Sequence, residues 1–548
     1  MAVARRSAGT FFRHPEWVGW AGMLLALLGL FLRLGSAGDA TMFRWISSDT
    51  LWIVDVFVDV FHDHYSLSGW RFSIAPFWFP DVAITGIFWG LTRNPILATL
   101  LAGFIQVMLI VACFHLIAST IGLQRLFLCD TLLLACGTGL ALYLSEQPNI
   151  SYPNLQLLFL PEGHVGNMLL VLFGWGMALR MIRAKRCGSR PGLWLKVVYA
   201  AVCLLAGMSN LFFFAHMLVP LTVALAASLL LDLISFGRCG LPVVMGWLAA
   251  AAGAILNRLL FHTADVSVQS SIGLDPMLTA WGVFRRGFSS KFLAGDPLHL
   301  AAVIWAAVCI GYVAWFLRSR ALIRTPSMTE SHLLRAIYFT MALIASVSSV
   351  AVIVLGGTAG LVVAKDYPWS MHYLHETFFV PIFGLAMCSA WVFDRLLNDL
   401  GTRVLAWTLA TCIFCVAAAQ VITTPWPKTP IYAYRPPLVR FIDRMAPEKH
   451  LHYGYAGYWQ ARLITLLSRS GVRAYALDGG MNPLIWANNV QWYSQSLENR
   501  SKPPGFDFVV LDDPLWKLSR EEAVRVFGEP VFETKVEGAR ILIYSSRE

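Results

Sequence analysis

Charge is scarce in this sequence. Asp, Glu, Lys and Arg make up 14% of 548 residues, against about 25% in ordinary globular domains. So little charge excludes a disordered, self-repelling chain and argues against an all-soluble fold. Every cysteine lies before residue 416, so the C-terminal part has no disulfide framework. The C-terminal part also lacks glycine-rich phosphate loops of the GxGxxG or GxxxxGK[ST] type and Cys/His metal-ligand spacing, which removes the common nucleotide and zinc readings for it. No internal repeat is visible. The formal net charge is +10, but the basic residues sit in short segments between apolar runs. That placement suits a membrane surface and not nucleic acid.

Apolar runs are abundant. Hydrophobic residues reach 57% and aromatics 13%, with 21 Trp. Several runs exceed the roughly 18 residues needed to span a bilayer. The pattern predicts a mainly α, polytopic transmembrane bundle of about 11 helices, over 17–36, 95–119, 126–145, 165–182, 194–209, 212–235, 241–257, 298–317, 336–364, 376–393 and 404–423. The first run lacks a clear small-residue cleavage site and reads as a retained helix. With the N-terminus inside, the inner connecting segments hold 17 Lys/Arg in 72 residues and the outer ones 8 in 131. This asymmetry places the N-terminus in the cytoplasm and the C-terminus outside, in a bacterial inner membrane with a periplasmic C-terminal domain.

The first outer segment, 37–94, is long. Asp49–Tyr65 reads as an amphipathic helix whose Asp55, Asp59, Asp63, His62 and His64 form a solvated polar face. Residues 78–92 are expected to lie along the interface, with Asp81 capping the helix that follows. After residue 424, Pro425, Pro427, Pro430, Pro436 and Pro437 mark a linker into a small α/β domain, so the chain divides at 1–423 and 424–548. The sequence predicts strands at 452–455, 472–477 and 506–511, and helices at 458–468 and 519–527. A final hairpin, 531–536 with 540–544, turns at Glu537-Gly538.

The layout is one helix, a long outer segment with an acid near its start, a bundle, and an outer domain. It resembles the GT-C superfamily of membrane glycosyltransferases, which use polyprenyl-phosphate-linked sugars. The matching residues near the first helix are Ser47-Ser48-Asp49, and Gly454–Arg462 (GYAGYWQAR) looks like part of the domains attached to such enzymes. The resemblance implies transfer of a sugar from a polyprenyl-phosphate donor to a glycan, lipid or protein acceptor at the outer face, with Asp49 as catalytic base. The family's paired acids are here Ser48-Asp49, so the expected reaction needs neither metal nor cofactor.

A carboxylate suits that chemistry, because the attacking hydroxyl must lose a proton and partial burial raises a carboxyl pKa toward a useful value. Asp81 is the second catalytic candidate. The resemblance also implies a lipid-phosphate site, for which Lys365, His372 and His375 are candidates. Arg285, Arg286 and Lys291 join them because they run against the positive-inside trend, and Arg71 is a further cation. Glu162, His164 and Glu376 flank helix starts on the same side. A flippase for a lipid-linked glycan and a non-catalytic assembly subunit are the rival readings; the sparsity of charge within the helices disfavours the first.

Overall fold

The computed structural model describes residues 14–73, 75–146, 155–161, 165–186, 191–262, 273–319, 326–355, 374–511 and 518–544. In chain order, α1 (Pro15–Gly35) leads to α2 (Asp39–Trp45), α3 (Ser48–Phe61), strand β1 (Trp70–Arg71), a π-helical turn at Trp78–Val82 and α4 (Ala83–Thr92). The bundle continues through α5 (Pro95–Thr120), α6 (Leu126–Glu146), α7 (Val165–Arg186) and α8 (Leu193–Ser209). A π-helical turn at Phe214–Leu218 opens α9 (Val219–Leu230), followed by α10 (Phe236–Leu260). Then come α11 (Leu274–Leu293), α12 (Pro297–Ser319), α13 (Pro326–Leu355), α14 (His375–Leu396) and α15 (Asp399–Thr423). Among the described residues, nine helices are long and apolar enough to cross a membrane; α8 and the helix through α9 are apolar but shorter. All eleven expected bundle helices are present, although the one expected over 336–364 starts at Pro326, and 356–364 lie outside the described residues. The amphipathic α11 lies where the sequence was read as a loop.

Start signals explain several boundaries. Pro95 occupies the first turn of α5, where a missing N–H costs nothing, and Asn94 Oδ1 accepts from Leu97 N at 2.9 Å. Glycines set the packing of α1 on α15. A Cβ on Gly22 would meet the Phe414 backbone nitrogen at 3.0 Å, while Gly29 faces Gln420 and Gly35 faces Pro427. These contacts advance together along both helices, so α1 and α15 run parallel. The segments that follow them therefore leave the bundle on one face.

The opposite face gathers the basic connections. Arg125 donates to Leu397 O and pairs with Asp394, Arg183 donates to Thr120 O, and Arg335 donates to Ile121 O. The cationic ends of α5, α7, α13 and α14 thus lie together.

The C-terminal part is the small α/β unit expected. Its sheet has the order β3-β2-β5-β7-β6, formed by β2 (Tyr453–Ala456), β3 (Arg473–Ala476), β5 (Phe508–Leu511), β6 (Phe532–Val536) and β7 (Ala539–Ile543). A separate two-residue strand, β4 (Asn488–Asn489), pairs with β1 across the chain, Trp70 opposite Asn489. β2 pairs in parallel with both β3 and β5, whereas β5–β7 and β6–β7 are antiparallel. The hairpin turn has Glu537 and Gly538 both at positive φ, the backbone a tight two-residue turn requires. Helix α16 (Pro437–Lys449), read in sequence as linker, starts on its proline. α17 (Tyr458–Leu467) bridges β2 and β3, and α18 (Arg520–Phe527) is capped by Ser519, whose hydroxyl accepts from Glu522 N.

The C-terminal unit is not packed as a separate body. Trp52, Ile53, Val56, Tyr65, Trp70 and Phe72 from the first connecting segment share one buried cluster with Tyr453, Tyr475 and Trp492. That segment also covers helix ends of the bundle: Phe79 N donates to Ser209 Oγ at 2.8 Å and Trp78 Nε1 to Asn257 Oδ1 at 3.2 Å. Reporter fusions after residues 190 and 397 should report the cytoplasm, and fusions after 295 and 500 the other side. An external signal at 190 would refute this helix count.

Candidate active site

α3 begins with a capping box: Ser47 Oγ accepts from Thr50 N, and Thr50 Oγ1 accepts from Ser47 N at 2.9 Å. The first-turn acid Asp49 is thereby left out of the cap. Its Oδ1 instead accepts from the Tyr458 hydroxyl at 2.6 Å, at the start of α17. Burial pushes the Asp49 pKa up to about 6, against the Tyr458 hydrogen bond and the nearby Arg462 charge.

The expected solvated face holds only for His62 and His64, which are exposed just past α3; its acids are buried. Asp55, Asp59 and Asp63 are at most 5% exposed, because the C-terminal unit lies against them. Arg462 Nε contacts Asp55 Oδ2 at 2.8 Å, and the rest of its guanidinium donates to Ser48 O, Ala487 O and Asn488 Oδ1. Burial works against that charge, yet Asp55 carries the Arg462 pKa above its ordinary value. Asp63 pairs with Arg473 at 2.6 Å and with His62 Nδ1 at 2.7 Å. Among the described residues Asp59 has no cation of its own. It accepts from Trp492 Nε1 and Asn489 Nδ2, each at 2.9 Å, and burial together with the Asp55 charge raises its pKa well above the usual carboxylate range. Among the described residues no group of three or more His, Cys, Asp or Glu is placed to hold a metal.

Asp81 does not cap α4. It lies within the π-helical turn, 1% exposed, and points into the bundle, where its Oδ1 accepts from Gln106 Nε2 at 2.6 Å. Burial raises its pKa to about 7 against that hydrogen bond. Its Oδ2 rests on the first turn of α7, so close that a Cβ on Gly166 would overlap it at 1.9 Å. The next residue, Asn167, faces Glu376 at 3.5 Å and His216 Nδ1 at 3.3 Å, and His216 Nδ1 contacts Glu376 Oε1 at 3.0 Å. Glu376 therefore belongs to a buried polar cluster beside Asp81, whereas Asp49 contacts the C-terminal unit through Tyr458.

The remaining candidates divide. Arg285 and Arg286 are exposed on α11 and Lys291 is half-buried near its end. Arg285 lines a groove of about 640 Å³ between α11, α12 and α13, with Trp281, Phe284, Val303, Leu343 and Val347 among its walls. Arg286 is not in that lining. Arg71 is spent locally, donating to Ser68 O and Trp70 O. His375 opens α14. Glu162, His164, Lys365 and His372 lie outside the described residues.

Sequence reasoning missed Tyr458, Arg462, Gln106, Asn167 and His216. The last three interrupt otherwise apolar spans, and a lone polar residue in such a span was the available signal.

No protein-family model matches the sequence, and no curated protein matches it significantly. The structure is similar to the crystal structure of the Archaeoglobus fulgidus oligosaccharyltransferase in its apo form. That match has a TM-score of 0.39 and 12% identity, and covers 90% of this chain and 69% of the other.

Removing one partner of a buried ion pair leaves the other charge uncompensated, at a cost of about 3–5 kcal/mol. Asp55→Asn or Arg462→Met alone should sharply lower the melting temperature in detergent. The double variant Asp55→Leu/Arg462→Met should recover much of the loss; equal losses in all three would refute the pairing. Because folded Asp81 holds its proton more tightly than an unfolded Asp, its contribution is complete below about pH 4 and disappears as pH rises through about 7. Asp81→Asn should flatten that fall in a pH series of melting temperatures.

Proposed function

We propose that the chain is a GT-C glycosyltransferase that takes a sugar from a polyprenyl-phosphate donor at the non-cytoplasmic face of the membrane. The observation that carries this reading is the groove beside α11. It has the volume and apolar lining for a prenyl chain. Arg285 at its edge offers a charge for the phosphate. The wall residue Thr377 follows Glu376 in the chain, and Ser346, also in the wall, donates to Glu376 O at 3.2 Å. The groove therefore adjoins the buried polar cluster, so a lipid lying in it would bring its headgroup toward the carboxylates.

In the reaction, Asp49 takes the proton of the attacking hydroxyl. The freed oxygen attacks the anomeric carbon, the carbon–oxygen bond to phosphate breaks, and polyprenyl phosphate leaves with the electron pair. The hydrogen bond from Tyr458 fixes the orientation of the carboxylate, and its raised pKa suits a base working near neutrality. This chemistry uses no metal.

Asp49→Asn removes the base and leaves the Ser47–Thr50 cap intact. Sugar transfer in membranes should fall by about a hundred- to ten-thousandfold, with expression and melting temperature near wild type. In the wild type, activity should rise with pH through about 6 as the carboxyl ionises. Full activity in the Asn variant would exclude Asp49. For the groove, Arg285→Ala should weaken donor saturation by roughly tenfold or more, the worth of one charge-assisted contact. An unchanged donor KM would remove Arg285 from the site.

A further inference from the structure

Residues 424–444 hold Lys428, Arg435, Arg440 and Arg444 against a single acid, Asp443. The three arginines line one cleft of about 600 Å³ at the start of α16, with Asp443 and Glu537 in its walls. Asp443 is already spent. Its Oδ1 accepts from Ser468 Oγ at 2.6 Å and from the Ser470 backbone and hydroxyl at 3.1 and 2.8 Å. Its Oδ2 accepts from Arg435 Nη1 at 2.8 Å, so Arg435 and the turn after α17 consume the carboxylate. Arg440 meets Asp39 only at 3.5 Å, between side chains 52% and 38% exposed, where water screens the attraction. Arg444 is exposed, 5.8 Å from the Phe441 ring, and no carboxylate among the described residues pairs with it. Glu537 is exposed on the hairpin turn and is likewise unpaired among those residues.

Arg440 and Arg444 are four residues apart on α16 and so share a face, where like charges repel. Their cleft lies at the depth of lipid headgroups. Arg435 follows closely on Tyr432, whose carbonyl accepts from Asn94 Nδ2 at 2.9 Å at the start of the spanning helix α5. Asp39, the partner of Arg440, stands just past the end of the spanning helix α1. Trp426, just past the end of α15 in the connection to α16, is 76% exposed, as suits a side chain in the interfacial belt. The anion in supply at that depth is phosphate, and each guanidinium can offer it two parallel N–H donors. The geometry points to a lipid-binding cleft in which Arg440 and Arg444 hold the headgroup phosphate of a phospholipid from the surrounding leaflet. Pockets that take small ligands run from about 300 to 1,000 Å³, so the cleft has room for such a headgroup. Because Asp443 fastens α16 to the turn after α17, the lipid also anchors the helix that carries Tyr458.

The test is native mass spectrometry of the full-length protein in detergent, titrated with three probes: dioctanoyl phosphatidylglycerol, dioctanoylglycerol and inorganic phosphate. The reading is the difference between wild type and variants, since other basic regions are the same in both. Arg444→Ala, which breaks no ion pair among the described residues, should weaken one phosphatidylglycerol site by about tenfold or more. Arg440→Ala/Arg444→Ala should abolish that site. Glu537→Gln removes the exposed acid from the wall and should tighten the same site, a gain that a damaged fold would not produce. Dioctanoylglycerol, with the same tails and no phosphate, should bind at least tenfold more weakly than the phospholipid. Equal lipid adducts in wild type and the double variant overturn the assignment, as does unchanged binding in Glu537→Gln if the arginine variants do not fold. Dioctanoylglycerol binding as well as the phospholipid also overturns it. Inorganic phosphate binding as tightly as the phospholipid, and lost with it in the double variant, would mark a free-anion site and overturn the lipid.

Discussion

The buried contact between Asp55 and Arg462 is the interaction on which the exposed half of the molecule depends. Two charges at most 3% exposed by their side chains are costly to bury, and they persist because nearly every donor of the guanidinium is used. Arg462 binds the helix that carries Asp49, the loop at Ala487 and its own helix at once. Tyr458 lies one helical turn before it, so the grip that neutralises Asp55 also sets the hydroxyl on Asp49. Stability and the geometry around Asp49 are therefore one arrangement, and residues 424–548 wall in the candidate site.

A second constraint comes from the bilayer. In hydrocarbon, helices gain nothing from hiding apolar side chains from one another, so close packing and buried polar contacts must hold the bundle. Both are present. Glycines let α1 approach α15, and the Gln106, Asn167 and His216 side chains bind across helices to carboxylates at the bundle end. The polar cluster thus helps to pack the bundle, with Asp81 fitted closely against Gly166.

Much of this fold could be read from sequence, because length and hydropathy alone specify a membrane helix. Most of the bundle helices and the strands of the C-terminal sheet fall close to their expected places, while α13 starts ten residues before its expected start. The serine at 519 and the Glu537-Gly538 turn carried enough local chemistry to be identified. What sequence could not supply was pairing at long range. Asp55, Asp59 and Asp63 repeat every four residues like any solvated stripe, and nothing near them announces Arg462 or Arg473. Asp81 looked like a cap because it precedes a helix, whereas its partner Gln106 lies on the next helix, in the middle of an apolar run. α11 went unread because its cations and aromatics alternate too closely to resemble a span, and α16 because two prolines suggested a linker.

The order of synthesis gives the Asp55–Arg462 contact one more consequence. The partners are 407 residues apart in the chain, so the acidic helix emerges long before its cations exist. At roughly 5–20 residues per second, that interval is about 20–80 s. Throughout it the three carboxylates stay hydrated, and α3 cannot take its final place beside the bundle. A chain cut short before residue 462 keeps its membrane helices but leaves Asp55 without its cation. The segment that carries Asp49 can therefore settle only after residue 462 has been made.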